Sequence, residues 1–330
     1  MGAVVMLDIP SGDVLALADR FVSDHPATEG IEREGPPSIA LRNIAPAASI
    51  FKILSSAALL DKGLDPYREY PFVYAKRGLG AKHLKKSIPG AARANLGMAL
   101  ATSNNGFFAR VTDTKLTRDD FSKYVNRFGF NKVIPFPIMT DASTAQVPRN
   151  RLERARLSAG FGHSDMTTLH AAIISAAVAG DGRLLRPRLV SRLHGPMGQV
   201  IDAPIREPIG RAMRRDTARV LKHMMAKTIK KGTARKSFSK WPKRLAHIRV
   251  GGKTGTLSRR KPTFTAYTWF VGYAPVDNPE VAIAVMVGNG EKWWQRAVDI
   301  ARDILAAHFT RKAKRTVAKR AKSRNKGTAR

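Results

Sequence analysis

Apolar residues at 3–9 and 14–18 flank the turn-forming cluster Pro10-Ser11-Gly12-Asp13, a pattern that predicts a β-hairpin. Val4, Val5, Met6 and Leu7 do not alternate with polar residues, so these strands are expected to be covered on both faces. Residues 19–44 are polar, carry Pro36-Pro37, and read as a connecting loop. A helix follows, opening at Ser49 after Pro46 and running through an almost wholly apolar stretch to a stop at Gly63. From about 64 to 165 the pattern breaks into short, mostly helical segments, clearest at 95–102, 119–128 and 149–159. Residues 167–179 predict an apolar helix capped by Thr167 or Thr168 and ended at Gly180. Residues 184–193 look extended, and 214–231 look amphipathic and helical up to Gly232. The last third returns to strands at 246–250, 265–274 and 281–288, then a closing helix over 291–309 with Trp293 and Trp294 near its start.

The order is hairpin, helices, strands, helix. The economical solution is an α+β fold in which an antiparallel β-sheet forms from the N-terminal hairpin and the C-terminal strands. Helices flank that sheet, and a mostly helical subdomain is inserted. Expected limits are 1–63 and about 181–310 for the α/β part, about 64–180 for the helical part, and 311–330 for a basic, disordered tail. At 330 residues the chain can bury a large core. It has no cysteine, which removes disulfides and thiolate metal sites from consideration. No apolar run reaches the ~20 residues that span a bilayer. The first eight residues lack a basic start and a long apolar stretch, so no signal peptide is visible.

Charge changes the picture. The formal net charge is +33, and residues 311–330 hold ten Lys or Arg and no acid, so +23 remains on residues 1–310. Such a chain favours polyanionic neighbours: nucleic acid, anionic lipid or acidic wall polymer. The tail is poor in aromatics and no nucleic-acid module is recognisable, which argues against a specific nucleic-acid partner. An anionic membrane or wall polymer held by charge remains as a partner for the tail.

Three stretches carry candidate chemistry. Ser49 and Lys52 stand three apart at a helix start, where i and i+3 share a face, so a lysine held neutral can take the proton of a serine nucleophile. Ser-x-x-Lys recurs at Ser237/Lys240, Ser258/Lys261 and Ser323/Lys326, but those copies lie in polar, basic stretches that read as solvated surface. In Ala101–Arg110 a helix breaks at Ser103-Asn104-Asn105 and resumes; Ser103 is placed to relay a proton and the Asn105 amide to hold a substrate carbonyl, although capping residues alone give the same pattern. In Val250–Thr256, Lys253, Thr254, Gly255 and Thr256 offer a cation, two hydroxyls and a backbone that a ligand can approach closely; a glycine-rich strand in a basic protein is the plainer alternative. The spaced glycines of a phosphate-binding loop are missing.

Taken together and in order, Ser-x-x-Lys, Ser-x-Asn and Lys-Thr-Gly form the signature of penicillin-binding proteins and class A β-lactamases. The chain resembles the transpeptidase domain of penicillin-binding proteins from residue 3 to about 308. Val4–Ala18 resembles that family's opening hairpin, Gly160-Phe161-Gly162 its Gly-x-Gly stretch before a helix, and residues 182–190 its Arg-Pro strand. Lys231-Gly232-Thr233-Ala234 and residues 269–275 are also similar. Ala48 stands where glycine is common in the family, and the central residue of Ser-Asn-Asn is variable there. The chain opens on what resembles the first catalytic strand, without a membrane anchor or an additional module.

The resemblance implies a D-alanyl-D-alanine transpeptidase that cross-links peptidoglycan stem peptides through a serine acyl-enzyme and is acylated by β-lactams. It implies an extracytoplasmic place of action and no cofactor or metal. It assigns Ser49 as nucleophile, Lys52 as base, Ser103 as proton relay, Asn105 as orienting amide and Lys253 as the second cation. Thr254, Gly255 and Thr256 would bind the terminal carboxylate, and the N–H groups of Ser49 and Thr256 would form the oxyanion hole. Glu153, in Arg151-Leu152-Glu153-Arg154, reads as a salt-bridged helix residue rather than a deacylating base, which disfavours a β-lactamase. A carboxypeptidase or a β-lactam-hydrolysing or -sensing relative would use the same residues, and a non-catalytic basic binding protein is a more distant alternative.

Overall fold

A computed structural model of the protein describes residues 1–21, 35–75, 78–85, 90–202, 206–261, 263–293 and 295–327, with 315–327 as backbone only. Five strands carry the main sheet: β1 (Gly2–Asp8), β2 (Val14–Arg20), β3 (Gly251–Arg259), β4 (Thr265–Ala274) and β5 (Val281–Asn289). They are antiparallel in the order β3-β4-β5-β1-β2, so the N-terminal hairpin is added to the C-terminal strands and β3 is an edge. Among the helices are α1 (Lys52–Asp61), α2 (Leu96–Ala101), α3 (Asn105–Lys115), α4 (Arg118–Arg127) and α5 (Arg151–Ser158). After these come α6 (Thr168–Ala179), α7 (Arg215–Lys231), α8 (Arg235–Phe238) and α9 (Ala297–Gly327).

Every residue of β4 and β5 is buried, because the sheet is covered on both faces. The two-residue period of a strand sorts their side chains. Ala282, Ala284 and Met286 join the larger core with Leu169, Ile173 and Ala177 of α6, while Ile283, Val285 and Val287 pack with Val298, Ala301 and Leu305 of α9. A strand between two apolar layers has no polar face to show, which accounts for the unbroken apolar runs in the sequence. Helix α6 is buried all round.

Local chemistry sets the helix starts. Asn95, Asn104, Thr117, Asn150 and Thr167 each accept a hydrogen bond from a backbone N–H two or three residues on, opening α2 to α6. Asp61 closes α1 and ties it to its neighbours. Its carboxylate, 4% exposed, accepts from Tyr124 Oη on α4 (2.7 Å), from Arg214 Nε ahead of α7 (3.1 Å) and from the Thr217 hydroxyl.

Several expectations are corrected. β2 is intermediate or exposed at all its positions, because it is the outer edge with no further strand beside it. Residues 246–250 are not a strand: a 3₁₀ turn at Lys243–Leu245 precedes β3, which begins at Gly251. The extended stretch at 184–193 forms only short strands at Arg183–Leu185 and Leu193–His194. The closing helix starts at Ala297 rather than 291, leaving Trp293 in the preceding connection; Trp294 lies outside the described residues. It also continues past 309 to Gly327 where a disordered tail was expected. No Gly or Pro interrupts that Ala-, Lys- and Arg-rich stretch, and those residues are good helix formers.

Replacing Asp61 by Ala strands the Tyr124 and Thr217 hydroxyls and leaves Arg214 only the carbonyls of residues 60 and 61. We expect a loss of about 3 kcal/mol in urea unfolding, and a loss below 0.5 kcal/mol would show that the carboxylate is not a structural tie.

Candidate active site

The segment that presents Ser49 is pinned before the helix begins. Ala45 and Pro46 pair with Met166 and Asp165, the Ala47 N–H donates to Ser164 O (3.1 Å), and Trp269 Nε1 on β4 donates to Pro46 O (2.9 Å). Ala48 then turns the chain with φ +47°, a left-handed conformation that costs an L-residue with a Cβ roughly 1–2 kcal/mol. This is the position where the resembling family commonly has glycine, and the backbone angle supplies the reason. Gly160 faces the turn: a Cβ there would lie 1.9 Å from Ala48 O and 2.9 Å from Ser49 N, so only glycine fits. Residues 48–51 form a 3₁₀ turn, not yet an α-helix. Side chains three apart eclipse in that geometry, which stacks Ser49 over Lys52.

Lys52 Nζ lies 2.7 Å from Ser49 Oγ, 2.8 Å from Asn105 Oδ1 and 2.6 Å from Ala159 O. The side chain is fully buried, and among the described residues it makes no ion pair. Burial, and secondarily the charge of Lys253, hold its pKa well below the ordinary lysine range. The three contacts also suit the neutral amine. Asn105 Oδ1 and Ala159 O can only accept, so the two N–H bonds of an NH₂ group go to them and the lone pair faces the Ser49 hydroxyl.

Ser103, itself left-handed at φ +57°, donates from Oγ to Ser49 Oγ at 2.9 Å. It sits in the break between α2 and α3, where Asn104 caps α3 and turns Asn105 inward onto Lys52. Lys253 on β3 is fully buried and donates to Thr254 O (2.7 Å); burial brings its pKa down to about 7. Gly255 presses against the Ser49 turn: a Cβ there would meet Ala48 Cβ at 3.4 Å and Ile50 Cγ1 at 3.3 Å. Thr256 is exposed next to it on the edge strand. The structure therefore brings Ser49, Lys52, Ser103 and Asn105 into one hydrogen-bonded cluster. It sets the strand of Lys253, Thr254, Gly255 and Thr256 against that cluster.

Some partners were not apparent from the sequence. The Ala159 carbonyl that receives Lys52 is backbone at the end of α5 and carries no side-chain signal; Gly160 beside it was the available clue. Thr233 shares a hydrogen bond with Thr254 through their hydroxyls. Behind the site, Thr112 of α3 donates to Ser158 Oγ of α5 (2.8 Å), and Ser55 of α1 donates to Ser158 O (2.9 Å). That link locks the helices supporting Asn105, Ala159 and Lys52. Of the other Ser-x-x-Lys copies, Ser258 is exposed as expected. Ser237 is instead buried, its hydroxyl accepting from Arg296. The Ser323/Lys326 side chains lie outside the described set. Glu153 pairs with Arg156 (2.7 Å) and His163 (3.0 Å).

A family model described as the penicillin binding protein transpeptidase domain matches residues 2–306. Peptidoglycan D,D-transpeptidase PbpA of Mycolicibacterium smegmatis is 25% identical over 312 residues, covering 88% of this chain and 62% of that protein. Stage V sporulation protein D of Bacillus subtilis is 24% identical over 303 residues, covering 86% of this chain and 45% of its own. The chain thus spans about half to three-fifths of the curated relatives it matches. Penicillin-binding protein A from M. tuberculosis, solved as an imipenem acyl-enzyme complex, superposes with a TM-score of 0.72 at 24% identity over 93% of this chain and 73% of that one. That likeness shows the same fold.

Burial of Lys253 has a thermodynamic signature. Its pKa is about 7 when folded and that of a free lysine when unfolded, so between these values the unfolded chain binds more protons and stability rises with pH. Below pH 7 both states are protonated and this contribution is flat. From pH 7 to 9.5 the unfolding free energy of the wild type should climb by as much as about 1.4 kcal/mol per pH unit from this group, and less in Lys253→Met. Equal slopes in urea melts of the two proteins would contradict it.

Proposed function

This chain belongs to the penicillin-binding protein transpeptidase family, and from that premise we propose that it is a serine D-alanyl-D-alanine transpeptidase acting on peptidoglycan stem peptides outside the cytoplasm. The observation that carries the reading is the enclosure of the Lys52 amine by Ser49 Oγ, Asn105 Oδ1 and Ala159 O in a site that lowers its pKa. A lysine so placed is a base at neutral pH, and its lone pair has one hydroxyl to act on.

In the proposed mechanism Ser49 Oγ attacks the carbonyl carbon of the penultimate D-alanine while its proton passes to Lys52 Nζ. The N–H groups of Ser49 and of Thr256 on the edge strand receive the developing oxyanion; donors of this kind are each worth roughly 3 kcal/mol. As the C–N bond breaks, the proton travels through Ser103, which donates to Ser49 at 2.9 Å, to the departing D-alanine amine. Lys253, Thr254 and Thr256 hold the terminal carboxylate of the peptide, with Thr233 fixing the Thr254 hydroxyl. Asn105, oriented by its bond to Lys52, offers its amide N–H to the peptide. A stem-peptide amine then attacks the Ser49 ester, forming the cross-link and returning the proton to the serine. A β-lactam ring presents the same carbonyl and forms the same ester, which accounts for inhibition by this class.

Glu153 supports an amine rather than water as acceptor. Its carboxylate is occupied by Arg156 and His163, and it is not among the groups that touch Ser49 or Lys52. The basic end of α9 is proposed to rest on anionic membrane or wall polymer. Ten cations without an acid between 311 and 330 supply the attraction, and the backbone of this stretch is helical to Gly327.

Fluorescent penicillin should label the wild type covalently and fail to label Ser49→Ala. Lys52→Ala should label at least a hundredfold more slowly; retained labelling in Ser49→Ala, or wild-type speed in Lys52→Ala, would overturn the reading. Removing residues 311–330 should abolish sedimentation with anionic vesicles or isolated wall at low salt while leaving labelling intact. Binding that persists in molar salt would rule out a purely electrostatic contact.

A further inference from the structure

A cavity of about 790 Å³ lies between the second half of α7, the start of α2 and residues 238–250, which lead from α8 into β3. Neither Ser49 nor any side chain bonded to it lines this cavity, so it is a separate space. Its volume falls within the roughly 300–1,000 Å³ of small-molecule sites.

The sequence places cations along one wall. His223, Lys227, Lys230 and Lys231 recur at three- and four-residue spacing on α7, which gathers them on one helix face, and all four line the cavity. Lys230 and Lys231, in the last turn, suit the carbonyl end of the helix. Lys227 precedes that turn. It is half-buried, and its Nζ reaches α2, 3.1 Å from where a Cβ on Gly97 would stand. Among the described residues none of the three lysines makes an ion pair or a hydrogen bond, and no Asp or Glu lines the cavity. Like charges at this spacing oppose one another, and an anion among them relieves the repulsion. Arg249, on another wall, is already matched by Asp277 (2.8 Å).

The other walls are apolar. Met98, Ile229, Trp241 and Ile248 are each only partly covered, so they retain apolar surface that an occupant can cover. Two neutral polar groups at these walls are engaged: Asn95 Oδ1 accepts from the Met98 N–H (2.9 Å), and Trp241 Nε1 donates to Leu245 O (2.9 Å). A nucleotide base would leave its edge groups unpaired there, whereas hydrocarbon has none to leave. We propose that this cavity binds an anionic amphiphile, a single molecule whose acidic head sits among Lys227, Lys230 and Lys231 and whose apolar body covers Trp241 and Ile248. A concave space suits one entering molecule rather than a lipid surface, so the site is distinct from the membrane or wall contact proposed for the end of α9.

Calorimetric titration of the full chain with decyl phosphate, below its micelle-forming concentration, tests the assignment. One equivalent should bind at least about tenfold more tightly than decanol, which lacks the charge, or inorganic phosphate, which lacks the chain. Lys227→Met combined with Lys230→Met should weaken binding about tenfold. Lys115→Met combined with Lys123→Met removes equal charge from α3 and α4 and should leave binding unchanged. Met98→Glu, which brings a carboxylate into the same cavity, should weaken it severalfold. Chain already acylated by penicillin should bind decyl phosphate as tightly as free chain; loss of binding on acylation would put the amphiphile at Ser49 and overturn the proposal. So would equal affinity for decanol, equal losses in the two double variants, or no loss in the Lys227 and Lys230 pair. Tighter binding of an acidic, Trp-containing peptide at this cavity would overturn it in favour of a protein partner.

Discussion

The architecture around the site answers one constraint: an amine must sit in the protein interior without a carboxylate to neutralise it. An ion pair would hold Lys52 charged and unfit for the base role proposed for it. Uncharged acceptors satisfy its N–H bonds without that penalty, and they must come from elements that are far apart in the chain. Asn105 arrives at the start of α3, Ala159 O at the end of α5, and Ser49 from the turn leading into the lysine's own helix. Lys253, buried nearby, adds repulsion that favours the neutral form. The Ser55, Thr112 and Ser158 hydroxyls then serve as a latch that keeps these three elements from drifting.

Backbone strain is concentrated around the proposed site. Of the four described non-glycine residues with positive φ, Ala48 precedes Ser49, Ser103 donates to the Ser49 hydroxyl and His163 pairs with Glu153; Asn131 lies elsewhere. Each left-handed residue opposes folding by itself, so the surrounding structure must over-determine it. For Ala48 the means are visible: pairing of residues 45–46, the Trp269 bond to Pro46 O, and the tight seat against Gly160 and Gly255. The Ser49 turn is held by neighbours rather than by its own preferences.

Much of this was legible in the sequence because side-chain pattern encodes it. The apolar runs of β4 and β5, the capping residue Thr167, and the order of the three motifs all speak through residue type. What escaped prediction speaks through backbone or tertiary position. The Ala159 carbonyl could have come from any residue. The edge exposure of β2 depends on which strand stands beside it, not on its own composition. The lost strand at 246–250 and the helix running past 309 are boundaries, where local preference is weak against packing and propensity. Thr233 lies in a stretch that resembles the family, yet its bond to Thr254 needed the third dimension.

The central sheet has a consequence for how the chain reaches this state. β1 is made first, yet its inner neighbour β5 lies some 280 residues downstream. Until residues 281–289 emerge, the first strand has only β2 beside it and one apolar edge open. Closing so long a loop is entropically unfavourable and slow. During that interval Val4–Leu7 present an unpaired strand to any other chain that passes. The turn of Ser49 and the strand of Lys253, some 200 residues apart in the chain, sit against one another in the finished fold, so until residues 251–289 are made the molecule has neither a closed sheet nor the site proposed for acyl transfer.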